Sequence, residues 1–487
     1  MTDHTLTVAG VAVDTRHWIG GERVASTGTF TDLSPIDGST LGEISRGTAM
    51  EAAAAVAAAK AAFPGWAATP AAERARILHA VADGVEKRLE DLAIVETTDN
   101  GALLRSHRRG VMPRVAHNFR FFADWLLRLG HDDFDTRGHT NHVSWDPAGP
   151  CVLITPWNAP LMLATWKVAP ALAAGNTVVL KPAEWSPLTA SLLADIAAEA
   201  GLPAGVLNVV QGYGAEVGSA LVSHPDVRRI SFTGSVPTAR HIAAAAAANL
   251  TPVSLELGGK SPLLVFADAD LDLAVDLAVE QYDNAGQVCL AATRILVEES
   301  VAEEFTRRFT EKAALLRQGD PRDESTDIGP NIHARQLEKI DGFVQRAVAA
   351  GARAVIGGHR EDGLYYPPTL LTEVAQDSEI VQEEVFGPVL TLQTFTGEEE
   401  AVRLANDTRF GLAATLATGD QERAARVTAQ LVAGTVWVNC FFVRDLQAPF
   451  GGSRHSGVGR EGGTWSFDFY CDLKNTVTAP KGWKDHG

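Results

Sequence analysis

Residues 149–181 read GPCVLITPWNAPLMLATWKVAPALAAGNTVVLK, and this stretch decides the fold. Cys151 to Thr155 is a short apolar run, and so is Thr177 to Lys181. Between them, Leu163 to Ala174 carries its apolar residues at helical spacing and is closed by Gly175. Largely apolar strands joined by a helix are parallel neighbours in a sheet covered on both faces. The alternation continues downstream. A helix is expected over Pro187–Ala200, stopped by Gly201, then a strand over Val206–Val210 and a helix over Ala215–Ser223. A strand over Arg229–Phe232, an alanine-rich helix over Pro237–Asn249 and a strand over Val253–Leu257 complete it. This pattern predicts an α/β fold with a doubly wound, nucleotide-binding type of domain.

A second alternation runs from Ser261 to about Ala433, started by a strand-like run near Val265 and with the segment Thr391–Leu416 towards its end, and predicts a second α/β domain. Upstream, the chain is turn-rich and strand-like to about Ile44. Helices follow over Met50–Phe63, Ala71–Asp91 and Pro113–Arg128, and then a polar loop or exposed hairpin at His131–Asp135.

The 487 residues are 46% hydrophobic and 21% charged, which suits two or three globular domains. The net charge of −18, from 42 basic and 60 acidic residues, argues against a nucleic-acid partner. It also means that any anionic ligand must be held locally, by arginines or helix N-termini. No apolar run approaches the roughly twenty residues needed to span a bilayer, so no membrane partner is expected. Met1–Arg16, with Asp3 and Asp14, lacks the order of a signal peptide. Cys151, Cys289, Cys440 and Cys471 are widely spaced and form no CxxC, which fits a reducing cytoplasm. His139 and His142 are spaced HxxH in the polar hairpin without a third ligand, so no metal site is expected.

Several positions could carry chemistry. Gly212-Tyr213-Gly214-Ala215-Glu216-Val217-Gly218 follows a strand and opens a helix, but it is one residue too long for GxGxxG and lacks the acidic residue about twenty positions on. It is either a phosphate loop or a tight packing turn. Phe232-Thr233-Gly234-Ser235 is a second strand-to-helix turn whose N–H groups could face a pyrophosphate. Cys289 is a nucleophile or a buried small apolar residue, and the polar Asn284, Gly286 and Gln287 favour an accessible turn. Glu256, flanked by Leu255 and Leu257 at a strand end, is a candidate general base or a solvated strand end. Asn158, in Pro156-Trp157-Asn158-Ala159-Pro160, is a neutral donor suited to an oxyanion, or a turn residue.

Taken together, these blocks resemble the NAD(P)-dependent aldehyde dehydrogenase superfamily. The resemblance rests on Ile154-Thr155-Pro156-Trp157-Asn158, on residues 175–184, on Phe232-Thr233-Gly234-Ser235 and on Leu255-Glu256-Leu257-Gly258-Gly259-Lys260. It continues through Gly286-Gln287-Val288-Cys289, Glu383–Val389 and Pro449-Phe450-Gly451-Gly452, in order, over essentially the whole chain. The resemblance implies that Cys289 attacks an aldehyde carbon, that Asn158 and the Cys289 N–H hold the oxyanion, and that Glu256 activates the water that resolves a thioester. Lys167 and Glu461 would relay protons. The same resemblance places Ile154, Thr155, Pro156, Trp157, Lys181, Glu184, Gly214, Gly218, Phe232, Gly234, Ser235, Leu257, Glu384 and Phe386 at the cofactor. Glu184 at the ribose disfavours a 2′-phosphate, so the expected cofactor is NAD, with NADP as the alternative. Ala183, Val236-Pro237, Ala239 and Arg454 depart from the usual pattern.

The resemblance further implies a dinucleotide-binding domain over 1–128 and 148–257, a catalytic domain over 258–446 and oligomerisation elements at 129–147 and 469–487, in a homodimer or homotetramer. The substrate pocket would include Arg114, Ala159, Trp166, Val288, Leu290 and Arg444. Most relatives that take simple aldehydes place apolar or aromatic groups at the two arginine positions. Two convergent arginines make a carboxylate clamp, although each could equally be a structural ion pair, with Asp445 beside Arg444 as an obvious partner. Gly459–Gly463 and Ser466–Tyr470 are most similar to the 2-hydroxymuconic and 5-carboxymethyl-2-hydroxymuconic semialdehyde dehydrogenases of aromatic catabolism. The small-molecule substrate is therefore expected to be an anionic semialdehyde. The competing expectations are a dehydrogenase for neutral aldehydes or betaine aldehyde, and a thiol hydrolase without redox chemistry.

Overall fold

The computed structural model describes residues 4–130 and 132–484. His131 of the expected hairpin and residues 485–487 of the expected tail lie outside the described residues, as do residues 1–3. The alternation that opens at Gly149 forms five parallel strands: β1 (Pro150–Ile154), β2 (Thr177–Lys181), β3 (Leu207–Val209), β4 (Arg229–Gly234) and β5 (Val253–Leu257). Their order across the sheet is β5-β4-β1-β2-β3. Antiparallel strands extend it at both edges, Gly457–Val458 beside β5 and His17–Ile19, followed by Glu22–Val24, beside β3. Strand order reverses between β1 and β4, and the crevice at their carboxyl ends is where such sheets bind ligands. Pairing aligns Ile154 with Phe232 and with Lys181, and Glu256 with Thr233, so these residues share one rim.

A second sheet holds six parallel strands, β6 (Pro262–Val265), β7 (Arg294–Glu298), β8 (Thr369–Thr372), β9 (Val389–Phe395), β10 (Ala413–Ala417) and β11 (Thr435–Val438), in the order β8-β9-β7-β6-β10-β11. Arg353–Ile356 adds an antiparallel edge at β8. The four-residue link Gly258–Ser261 joins β5 to β6, so Glu256 stands where one sheet hands over to the other. Fully buried Arg294 fixes this junction by donating to the carbonyls of Lys260 (2.8 Å), Leu404 (2.8 Å) and Ala405 (2.7 Å). A third, three-stranded antiparallel sheet pairs Asp132–Thr136 with His139–Pro147 and the latter with Cys471–Thr478, so the polar hairpin and the tail do meet.

Some elements differ from expectation. The helix after β1 begins at Pro160, not Leu163, because proline at the first helical position has no N–H to leave unsatisfied. The first long helix runs Ala49–Ala67, through Pro64, because Trp66 is buried and its indole N–H donates to Leu172 O at 3.1 Å. The helix begun at Ala71 ends at Lys87, and a separate helix over Leu89–Asn100 follows. The second helix is hard to see in sequence because it buries Glu96, Thr97, Asp99 and Asn100, so no apolar stripe marks it. A π-helical turn at His107–Val111 leads into Met112–Arg128, which packs on Pro160–Ala173. Those two helices carry Arg114 and Trp166 into the site.

Candidate active site

Cys289 follows an irregular turn in which Asn284 (φ 50°), Ala285 (φ 54°) and Gly286 (φ 69°) are all left-handed. Gly286 is required there, since a Cβ would collide with the Gly387 carbonyl. The polar neighbours that suggested an accessible turn are scaffolding. Asn284 Nδ2 donates to Asn158 O (3.0 Å), and Asn158 Nδ2 donates to Gln287 O (2.9 Å). Gln287 Nε2 donates to Asn284 O (3.0 Å), and its Oε1 accepts the Ile332 N–H (3.0 Å). These bonds clamp the loop after β1 to the cysteine loop, and they hold the Asn158 amide two residues from Cys289.

Cys289, half-buried, lies on a cavity of about 600 Å³ that is also lined by Asn158, Glu256, Trp166, Arg114 and Arg444. Val288, Leu290 and Ala159 line it too. Burial pushes the Cys289 thiol up to about 12, and the Glu384 and Glu256 carboxylates add to this, while Arg444 opposes it. Without cofactor, the thiol is therefore protonated at neutral pH. Alkylation of Cys289 by iodoacetamide should rise about tenfold per pH unit from pH about 7 to 10. A plateau near neutrality, followed by mass spectrometry of the Cys289 peptide, would show that the thiolate is already formed.

Glu256 is buried at the end of β5, and neither carboxylate oxygen has a hydrogen-bond partner among the described residues. Burial raises its pKa well above the usual range, Glu461 raises it further, and Lys167, Arg444 and Arg460 pull it back. Behind it, Lys167 Nζ donates to Glu461 Oε1 (2.7 Å) and to Ser231 Oγ (2.9 Å), and Ser231 Oγ donates to the same Glu461 oxygen (3.1 Å). A protonatable carboxylate in front of a fully buried lysine, carboxylate and hydroxyl can take up and pass on protons. Gly451 leaves the room that the base occupies, since a Cβ there would stand 2.7 Å from Glu256 Oε1.

The Arg444 guanidinium lies over the Phe450 ring (3.6 Å to the centroid) and the Trp166 ring (5.2 Å), and its Nη2 is buried without a partner. Burial, then Arg114, lowers its pKa to about 10. The expected Asp445 ion pair does not form: Asp445 Oδ1 instead accepts the Gln447 N–H at 2.8 Å. Arg114 likewise makes no ion pair with any described residue, and burial lowers its pKa. Asp445 acts on Arg114 from a distance, and Glu256 and Glu461 act on Arg444, but neither desolvated guanidinium is closed by a direct ion pair among the described residues, which favours a ligand that supplies a carboxylate.

The residues expected at the cofactor gather at the carboxyl rim of the first sheet. Ile154 ends β1, with Thr155, Pro156 and Trp157 beyond it, and Leu257 ends β5. Lys181 ends β2 and donates to Glu184 at 3.2 Å. Phe232 and Gly234 lie in β4, and Ser235 caps the helix Val236–Ala247, so that helix N-terminus points at the switch crevice. In the glycine turn, Gly212 is the packing residue, because a Cβ would lie 2.9 Å from Gly47 N, whereas a Cβ at Gly214 or Gly218 would meet nothing within 4 Å. Glu384 accepts the Gly259 N–H (3.2 Å), fills the space that a Gly258 Cβ would take, and is raised by burial to about 7. Phe386 (φ 58°) sits edge-on to Trp157 at 5.2 Å. These open glycines, the helix N-terminus and the ribose-type carboxylates fit a dinucleotide.

The sequence profile of the aldehyde dehydrogenase family matches residues 23–476. The chain belongs to that family. It is 44% identical to a 2-hydroxymuconic semialdehyde dehydrogenase of Pseudomonas sp., over 94% of this chain and 98% of the relative. It is 42% identical to a 2-aminomuconic semialdehyde dehydrogenase of Danio rerio, over 95% of this chain and 97% of the relative. Among solved structures it is similar to an indole-3-acetaldehyde dehydrogenase in complex with NAD+, with a TM-score of 0.95 and 39% identity over 96% of this chain and 97% of that one.

In this aldehyde dehydrogenase, sequence reasoning missed two polar groups. Ser231 sits fully buried inside β4, and nothing in an apolar strand marks its contact with Lys167 and Glu461. Asp283 lines the cavity beside the cysteine turn. Its signal was an acidic residue within the motif that leads to Cys289. Among the described residues no group of three or more His, Cys, Asp or Glu could hold a metal ion, and no helix is long and apolar enough to cross a membrane.

Proposed function

We propose that this aldehyde dehydrogenase oxidises an anionic semialdehyde of the muconic type, as met in aromatic catabolism, to the carboxylic acid, with NAD as the oxidant. The observation that carries this is the pair of guanidiniums, Arg114 and Arg444, that line the cavity with Cys289 and make no direct ion pair among the described residues, Arg444 Nη2 being buried without a partner. The names of the muconic semialdehyde relatives support it, and the NAD+ complex of a similar structure supports the cofactor. The same arginines disfavour a cationic aldehyde such as betaine aldehyde.

Cys289 Sγ, as the thiolate formed when its proton passes to water, would bond to the aldehyde carbon, with the developing oxyanion held by Asn158 Nδ2 and the Cys289 N–H. NAD, when bound, accepts the hydride that leaves this carbon. Lys181 and Glu184 would take the adenosine ribose, Ser235 and the helix N-terminus the pyrophosphate, and Glu384 and Phe386 the nicotinamide end. Glu256 would take a proton from water as its oxygen attacks the thioester carbon, releasing the acid and the Cys289 thiolate. Lys167 and Glu461, joined by Ser231, would carry that proton inward. Trp166, Val288 and Leu290 would pack against the substrate chain.

We also infer a homodimer or homotetramer in a reducing cytoplasm. The four free cysteines support the compartment. The three-stranded sheet, which exposes Phe134, Leu473 and Val477, supports assembly. The functional test compares NADH formation from adipic semialdehyde and from hexanal, which share a chain length. A preference of at least about tenfold in kcat/KM for the carboxylate is expected from charge-assisted hydrogen bonds. Equal kcat/KM values would overturn the reading.

A further inference from the structure

One carboxylate on the cavity wall has no place in the chemistry above. Three acids line the cavity, Glu256, Glu461 and Asp283. Glu256 and Glu461 are buried, whereas Asp283 is exposed. Asp283 makes no ion pair with any described residue, although 33 such pairs are formed among the described residues. The Asn284 N–H offers it one hydrogen bond and Arg105, also on the cavity wall, acts on it from a distance; enclosure still raises its pKa. Asp283 (φ −52°, ψ 145°) breaks the helical turn just before the left-handed Asn284 and Ala285, so its backbone is set by the same rigid turn that presents Cys289.

The cavity is thus two-signed. Arg114 acts on the charge of Arg444, and both line the same cavity, whereas Asp283 is not among the charges that most affect either of them. A bare carboxylate facing the substrate volume repels a carboxylate-bearing substrate unless that substrate brings a hydrogen-bond donor to it. Because Asp283 is exposed to the water that fills the cavity, a substrate donor that displaces this water gains a charge-assisted hydrogen bond that an analogue without the donor lacks. We propose that Asp283 is a specificity residue that accepts a hydrogen bond from an amine or hydroxyl on the substrate, so that the preferred semialdehyde carries both a carboxylate and a donor. This rests on the carboxylate-semialdehyde reading above and adds a second recognition point to it.

The test uses the full-length protein with NAD and two sets of substrates: adipic semialdehyde, and adipic semialdehydes bearing a single hydroxyl or amino group at each chain carbon in turn. At least one substituted compound should exceed the plain one by about tenfold in kcat/KM in the wild type, the scale of a hydrogen bond to a charged group. Asp283→Leu should bring that ratio to about one. Asp283→Asn, which keeps an acceptor but not the charge, should retain part of a hydroxyl preference and lose an amino preference. Thermal unfolding of both variants checks that the fold is kept. A wild type indifferent to every substituent, or a preference that survives Asp283→Leu, would overturn the proposal. Both substrates in the ratio carry the carboxylate, so this failure is distinct from that of the underlying reading, which fails only if hexanal matches adipic semialdehyde.

Discussion

Glu256→Gln is expected to stop the enzyme after one turnover. Acylation does not need the base to attack water, so NADH should appear as a burst of about one equivalent per site and then nearly cease. Loss of a general base costs on the order of 10² to 10⁴ in rate, so kcat should fall by about a thousandfold. The substitution is nearly isosteric, and the Glu256 oxygens have no hydrogen bond to lose among the described residues, so the fold should survive. Removing the carboxylate also removes one of the charges that hold the Cys289 thiol up, so acylation should not slow for electrostatic reasons. Intact-protein mass after quenching should show the acyl group on Cys289. A steady rate with no burst and no acyl adduct would place water activation elsewhere.

Arg444→Leu should erase the preference for carboxylates. The guanidinium has an unpartnered buried nitrogen, and its removal would leave a bound substrate carboxylate facing apolar Leu, Trp166 and Phe450. Leaving a buried charge unpaired costs about 3 kcal/mol or more, so the ratio of kcat/KM for adipic semialdehyde over hexanal should fall by about a hundredfold. A second effect has a definite sign. Arg444 holds the Cys289 and Glu256 pKa values down, so its loss raises both, and the rising limb of the pH–rate profile should move to higher pH with either substrate. A retained ratio would show that Arg114 alone, or neither arginine, meets the carboxylate.

The two large effects fall on residues of unequal legibility. β2 and β5 begin and end at the expected residues, because Thr177–Lys181 is largely apolar, Val253–Leu257 alternates Val, Leu and Leu with Ser254 and Glu256, and both are set off by turns. Glu256 was readable as a strand-end carboxylate, but its closeness to Glu461 joins residues over two hundred positions apart, and local pattern carries no trace of that. The helix over Leu89–Asn100 hid because buried polar groups replace its apolar stripe. Arg444 was readable as a cation near the substrate, while its lack of a partner depended on Asp445 turning to the Gln447 N–H, which adjacency in sequence does not reveal. Asn284 and Gln287 were legible as polar residues and misjudged in role, because which amide meets which carbonyl is settled by the left-handed turn and not by composition.

The acidic body and its anionic substrate are reconciled locally. A net charge of −18 offers no long-range attraction to a carboxylate, so selectivity falls to two guanidiniums that make no direct ion pair among the described residues. The most direct test is a crystal structure of the Cys289→Ala variant with NAD and the semialdehyde substrate bound. The account predicts the aldehyde carbon over position 289 and the carboxylate within about 4 Å of both Arg114 and Arg444. A carboxylate bound with neither guanidinium in reach would contradict it.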